Sequence, residues 1–158
     1  MDLYLVRHGT AIDRADWDGA DADRPLSDPG REEMARISSS VARLGLRIDA
    51  IVTSPYARAY ETADILARHL NLLDKLVVDQ ALTPGFAVES LGGVLKKLPE
   101  PEGVVLVGHE PDFSTVVGQI TGGRVVFKKG AIAQVHVAYP SLKKGELVWL
   151  VQPAFVGP

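Results

Sequence analysis

The chain has 158 residues, 46% of them hydrophobic and 23% charged, which suits one compact domain over residues 1–158 with its own core. A formal net charge of −3 offers no general attraction to nucleic acid or an anionic membrane, so an anion site must be a local concentration of positive charge. There is no cysteine, which excludes disulfide scaffolds, thiolate metal sites and cysteine nucleophiles.

The opening "MDLYLVRHG" is too short and too polar at its end for a signal peptide or a membrane span, and no later segment is long enough to cross a bilayer. The expectation is a soluble, cytoplasmic protein. Residues 3–6 read as a central strand, apolar on both faces. The aspartate-rich stretch from Asp13 to Arg24 reads as a surface loop. A helix then starts near Ser27 or Asp28 as cap, with Pro29 in the first turn and Glu32 and Glu33 favouring the dipole. Met34, Ile37, Val41 and Leu44 share its apolar face, and Gly45 can close its end.

"DAIVTSP" is a second strand, with Ser54-Pro55 opening a helix whose apolar face is Ala59, Ala63, Leu66 and Leu70. "KLVVD" is a third strand, and Val88, Leu91, Leu95 and Leu98 mark a third helix that "PEPEG" ends. "VVLVGHE" is a deeply apolar fourth strand, and Pro111 starts a helix through Ile120. The tail, "RVVFKKGAIAQVHVAYP" and "GELVWLVQ", reads as two or three antiparallel hairpin strands. Strand–helix alternation over most of the chain argues for an α/β sandwich with a largely parallel sheet.

In such sheets ligands bind beyond the carboxyl ends of the strands. The first strand delivers Arg7-His8-Gly9 to that edge, the fourth delivers Gly108-His109-Glu110, and the second leads to Arg58. Two histidines and two arginines can meet there, and their chemistry converges on a phosphoryl group. Arginine presents a fixed fork of charged donors to non-bridging oxygens. A neutral imidazole can act as nucleophile, and nearby arginines favour the neutral form by lowering its pKa.

"LVRHG", "SPYARAYETA" and "VGHEP", in that order, resemble the histidine phosphatase superfamily. The short length, "RPLSDPG", "ALTPG" and "GAIA" narrow the resemblance to phosphohistidine phosphatases of the SixA type. The resemblance spans nearly the whole chain. It implies a three-layer α/β sandwich of the phosphoglycerate mutase-like kind, with a mixed, mostly parallel central sheet and helices on both faces. It also implies that His8 is the phosphate-accepting nucleophile, that Arg7 and Arg58 hold the phosphoryl oxygens, and that His109 donates to them. The family uses no metal and no cofactor. Phosphate or oxyanion analogues are expected in the site, and neither nucleic acid nor membrane is an expected partner.

Many superfamily members carry a carboxylic acid in the segment matching "LTPGF" that protonates the leaving alcohol, and here Leu82 to Phe86 contain none. Glu110 is the first substitute, with Asp21, Asp23 and Glu89 behind it. The missing acid favours phosphohistidine, whose imidazole leaves readily. Arg24 either ties down its own loop or adds positive charge to the site. His69 reads as a helix C-terminal residue, His136 as a strand surface or packing residue, and Gly122-Gly123 as a turn. Lys128-Lys129 and Lys143-Lys144 read as hairpin turns and solvated edges, with a docking patch for an acidic partner as the alternative. The leading function is dephosphorylation of a histidine-phosphorylated protein such as a phosphotransfer domain. A small-molecule phosphomonoesterase and a non-catalytic phosphate-binding module are the alternatives.

Overall fold

The structure, a computed structural model, describes residues 1–157. Six strands form one mixed sheet: β1 (Asp2–Arg7), β2 (Ala50–Thr53), β3 (Leu76–Val78), β4 (Gly103–Gly108), β5 (Ile132–Val137) and β6 (Gly145–Val151), in the order β3-β2-β4-β1-β5-β6. β3, β2, β4 and β1 run parallel, while β5 pairs antiparallel with both β1 and β6. β1 and β4 lie in the middle of the sheet and have no solvated face, hence their unbroken aliphatic runs.

Four helices cover the two faces. α1 (Asp28–Ala42) and α2 (Ala57–Leu70) bury Met34, Ile37, Ala59, Ala63 and Leu66 against Tyr4, Val6, Ile51 and Val105. α3 (Val88–Leu95) and α4 (Asp112–Thr121) bury Leu91, Val94, Phe113 and Val116 against Leu3, Leu5, Val104 and Leu106. Alternate residues of β1 thus serve opposite layers, as period-two side-chain placement demands. This is the expected three-layer α/β arrangement.

Local details depart from the expectations. Ser27 caps α1, its hydroxyl accepting from the Gly30 N–H, but the helix stops at Ala42. Gly45 lies past the end at φ +61°, so Leu44 is not on the core face and is 60% exposed. α2 begins at Ala57, after Ser54-Pro55, and Leu98 packs on the core from beyond the end of α3. Only β5 and β6 form from the tail, because residues 124–130 run as an irregular segment. Lys128-Lys129 therefore leads into β5 without a hairpin, whereas Lys143-Lys144 does lie in the β5–β6 connection. No described helix is long and apolar enough to cross a membrane.

Candidate active site

β1 and β4 are parallel neighbours with Arg7 opposite Gly108, and the ladder continues as the His8 N–H donates to the Gly108 carbonyl at 3.0 Å. Each strand places a histidine beyond that pair, so the His8 and His109 rings come out side by side, with centroids 5.3 Å apart. The helices flanking these strands lie on opposite faces, which opens a crevice at the carboxyl edge. On the far side of β4, β2 delivers Ser54, whose N–H donates to the Val107 carbonyl at 3.0 Å. The first turn of α2 then brings in Arg58.

His8 is 8% exposed. Its Nδ1–H donates to the Gly9 carbonyl at 2.8 Å, which leaves a lone pair on Nε2 facing the Arg58 Nε–H at 3.3 Å. Burial first, then coupling to His109 and the charges of Arg58 and Arg7, outweighs the Gly9 contact and pushes its pKa down to about 3. His8 is accordingly a neutral imidazole at physiological pH, with its free lone pair on Nε2. The loop after it is pinned to α2: the Gly9 N–H donates to Thr62 Oγ1 at 3.0 Å, and the Thr62 hydroxyl donates to the Arg58 carbonyl at 2.7 Å.

Arg58, 5% exposed, lies with its guanidinium carbon 5.0 Å from the Tyr56 ring centroid. It donates from NH1 to the Asp21 carbonyl at 2.8 Å and from NH2 to the Asp21 carboxylate at 3.1 Å. His109, 3% exposed, packs against the edge of Tyr56 at 5.1 Å. Its Nε2 lies 2.8 Å from the hydroxyl of Ser54, a residue that is 0% exposed. Burial, with Arg58 and Arg7 adding to it and Asp21 opposing, pushes His109 down to about 4. Arg7 donates from NH1 to the Phe127 carbonyl at 2.6 Å, and burial lowers its pKa from the usual arginine value. Among the described residues, Arg7 Nε and His109 Nδ1 are buried without a hydrogen-bond partner.

Of the expected residues, the fold gathers Arg7, His8, Arg58 and His109 at one strand edge. Arg24 sits one step out, donating from Nε to the Asp21 carboxylate at 3.0 Å and from NH1 to the Ile12 carbonyl at 2.7 Å, so it ties down its own loop. Asp21, an expected substitute acid, lies between Arg24 and Arg58. Burial alone would raise its pKa, but the hydrogen bond from Arg24 and the charges of Arg58 and Arg24 bring it below the usual carboxylate value, which favours the ionised form. Glu110 accepts from the Ser114 N–H at 2.9 Å, which engages it in the first turn of α4. Asp23 is exposed in its 3-10 turn, and Glu89 lies in the first turn of α3.

Ser54, Tyr56 and Thr62, all within "SPYARAYETA", carry no site signal of their own in the sequence yet support the site in the fold. Asp112 carries no such signal either: its carboxylate accepts from the Gly85 and Phe86 N–H groups and holds the "LTPGF" segment against α4. His69 accompanies the end of α2 with a ring contact to the Ile65 carbonyl, and exposed His136 meets the Asp2 carboxylate across the sheet. Among the described residues no three His, Asp or Glu side chains group as a metal site needs. The chemistry on offer is a neutral imidazole nucleophile among fixed cationic and neutral N–H donors, which fits a tetrahedral oxyanion.

The chain is similar to known proteins along nearly its whole length. An uncharacterized protein of Picosynechococcus is 36% identical over the full length of both chains. The phosphohistidine phosphatase SixA of Escherichia coli is 29% identical over 97% of this chain and 94% of its own. A solved structure of the protein histidine phosphatase SixA complexed with tungstate superposes with a TM-score of 0.86 at 25% identity, covering 98% of each chain. The family model of the histidine phosphatase superfamily (branch 1) matches residues 3–83, the stretch that holds Arg7, His8 and Arg58, and the chain belongs to that superfamily.

Proposed function

We propose that the protein is a metal-independent phosphohistidine phosphatase that works through a covalent phosphohistidine on His8. The observation that carries this reading is the neutral His8 Nε2 beside Arg58, with two buried nitrogens, Arg7 Nε and His109 Nδ1, lacking any protein acceptor. Buried polar atoms without partners call for an explanation, and the oxygens of a phosphoryl group would satisfy both. In the first step Nε2 attacks phosphorus in line and the bond from phosphorus to the substrate nitrogen breaks, the substrate ring, protonated beforehand on its other nitrogen by solvent, leaving as neutral imidazole. In the second, water attacks phosphorus on His8, inorganic phosphate leaves, and the neutral imidazole returns. Arg7 and Arg58 stabilise the charge on the equatorial oxygens throughout, and His109 donates from Nδ1.

A phosphohistidine protein is favoured over an alkyl phosphate because the nearby carboxylates are committed elsewhere. Asp21 is ion-paired with two arginines, Glu110 meets the α4 backbone, and residues 82–86 carry no acid. An imidazole leaves with less help than an alkoxide. The likeness to the E. coli phosphohistidine phosphatase supports the same choice.

Rapid-quench labelling with a phosphohistidine protein should trap acid-labile, base-stable phosphate on the enzyme, and His8→Ala should abolish it. Label persisting in that variant would move the nucleophile elsewhere. A panel of small phosphoesters turning over faster than the phosphohistidine protein would transfer the function to the phosphomonoesterase reading. Binding of vanadate with no hydrolysis of any substrate would leave only a phosphate-binding module.

A further inference from the structure

Beside the strand edge, on the Arg7 side, lies a cavity of about 470 Å³ lined by Arg7, Glu33, Arg36, Lys128, Lys129 and Gln152 among others. Four cationic side chains face one carboxylate there, in a chain whose net charge is −3. Lys128 and Lys129 are exposed, and among the described residues neither ammonium has a carboxylate within ion-pair distance. Arg36 is held by the Val156 and Gly157 carbonyls and lies 4.0 Å from the Glu33 carboxylate, the one acidic group in the cavity lining.

The lysines are not on a loose loop. Arg7 donates to the Phe127 carbonyl and its N–H to that of Ala131, while the Gly130 N–H reaches the Arg7 and His8 carbonyls at 3.1 and 3.0 Å. Gln152 clamps the other flank, accepting from the Lys128 N–H at 2.9 Å and donating to the Val126 carbonyl at 2.6 Å. The segment that carries the ammonium groups is thus fastened to the end of the catalytic strand. On the opposite side, next to Arg58, the loop with exposed Asp13, Asp16, Asp18 and Asp23 packs through Asp21. The mouth of the site is therefore polarised, basic beside Arg7 and acidic beside Arg58.

The reacting phosphoryl group already has Arg7, Arg58 and His109, so the extra cations suit a second group of negative charges. We propose that this basic cavity docks an acidic flank of the protein that carries the phosphohistidine, with carboxylates a few residues from the phosphorylated side chain. The proposal rests on the phosphohistidine reading above. Exposed lysines, mobile and strongly hydrated, suit a carboxylate-bearing surface, whereas a second enclosed phosphate would call for arginine forks and backbone N–H groups.

The test uses three phosphohistidine peptides that differ only in flanking Glu, Ser or Lys residues. At low ionic strength the acidic peptide should have the highest kcat/KM, on the order of tenfold above the neutral one, and salt at about 0.5 M should erase the difference. In Lys128→Glu/Lys129→Glu the preference should reverse to the basic peptide, while turnover of free phosphohistidine stays unchanged. Equal kcat/KM for all three peptides, or an acidic preference that survives in the double variant, would overturn the proposal. Inorganic tripolyphosphate inhibiting far more strongly than orthophosphate, with that advantage lost in the double variant, would give the cavity to a second phosphoryl group and also overturn it. The same sequences carrying phosphoserine separate the two levels. Charge preference on phosphoserine without turnover of phosphohistidine would defeat the substrate class and keep the docking surface.

Discussion

The Ser54 hydroxyl has one hydrogen to give. Its oxygen accepts from the Tyr56 N–H at 3.3 Å and lies 2.8 Å from His109 Nε2, and on the mechanism proposed above, in which His109 donates from Nδ1, that hydrogen goes to Nε2. A neutral His109 that accepts at Nε2 carries its proton on Nδ1, the atom without a protein partner. On that mechanism Ser54 would set the tautomer that lets His109 donate to a phosphoryl oxygen, the part of a positioning residue. Ser54→Ala should lower kcat by on the order of 10- to 100-fold with a smaller change in KM, since the lost donor matters most as charge develops. Nitrogen NMR of the imidazoles should report Nδ1–H on His109 in the unmutated protein and a mixture of tautomers in the variant. An unchanged tautomer together with full activity would make Ser54 only a packing residue.

The site depends on the registry of β1 and β4, and β4 is fixed at its start. The Gly103 carbonyl accepts from the Asp49 N–H at 2.8 Å, and the Asp49 carboxylate accepts from the Glu102 and Gly103 N–H groups. A Cβ on Gly103 would sit 1.9 Å from the Arg47 carbonyl oxygen, a backbone atom that no rotamer change moves. Gly103→Ala should therefore destabilise the fold by about 2–4 kcal/mol. Gly93 is the contrast. It lies exposed in α3, where an added Cβ meets nothing within 4 Å, so Gly93→Ala should stabilise by about 0.5–1 kcal/mol through helix propensity alone. Urea midpoints measure both. The reverse order would mean that strand entry tolerates a shift that the backbone contact forbids.

At the scale of the whole molecule, the two buried histidines make stability depend on pH. Both have folded-state values, about 3 and about 4, below the ordinary 6.5, so below that value the unfolded chain binds protons that the native state refuses. Their contribution is complete above pH 6.5 and is lost as pH falls toward the folded values. Asp49, held low first by the Glu102 and Gly103 backbone N–H groups, loses its contribution only below its ordinary 3.8, beneath most of the histidine window. Unfolding free energy should drop by about 2 kcal/mol between about pH 7 and about pH 5.5, with His109→Gln reducing the slope by roughly half. A flat profile over that interval would mean that the histidines are charged in the native state.

The order of strands and helices, the core faces of α1 and α2 up to Val41 and Leu66, and the residues that meet at the sheet edge were legible in the sequence. These follow from short-range rules: apolar runs bounded by turns, caps at fixed offsets, and motifs that end strands in Arg7-His8 and Gly108-His109. Tertiary structure decided what depends on residues distant along the chain. Asp21 is a committed carboxylate because Arg58, thirty-seven residues away, meets it in space. Residues 124–128 carry strand-like valines and a phenylalanine yet pair with no strand, because β5 takes the place beside β1 and Arg7 claims the Phe127 carbonyl. Ser54 looks like a helix opener until β2 and β4 bring its hydroxyl to His109. Periodicity reports which face a residue occupies, but a hydrogen-bond partner fifty-five residues away is fixed only when the sheet closes its register.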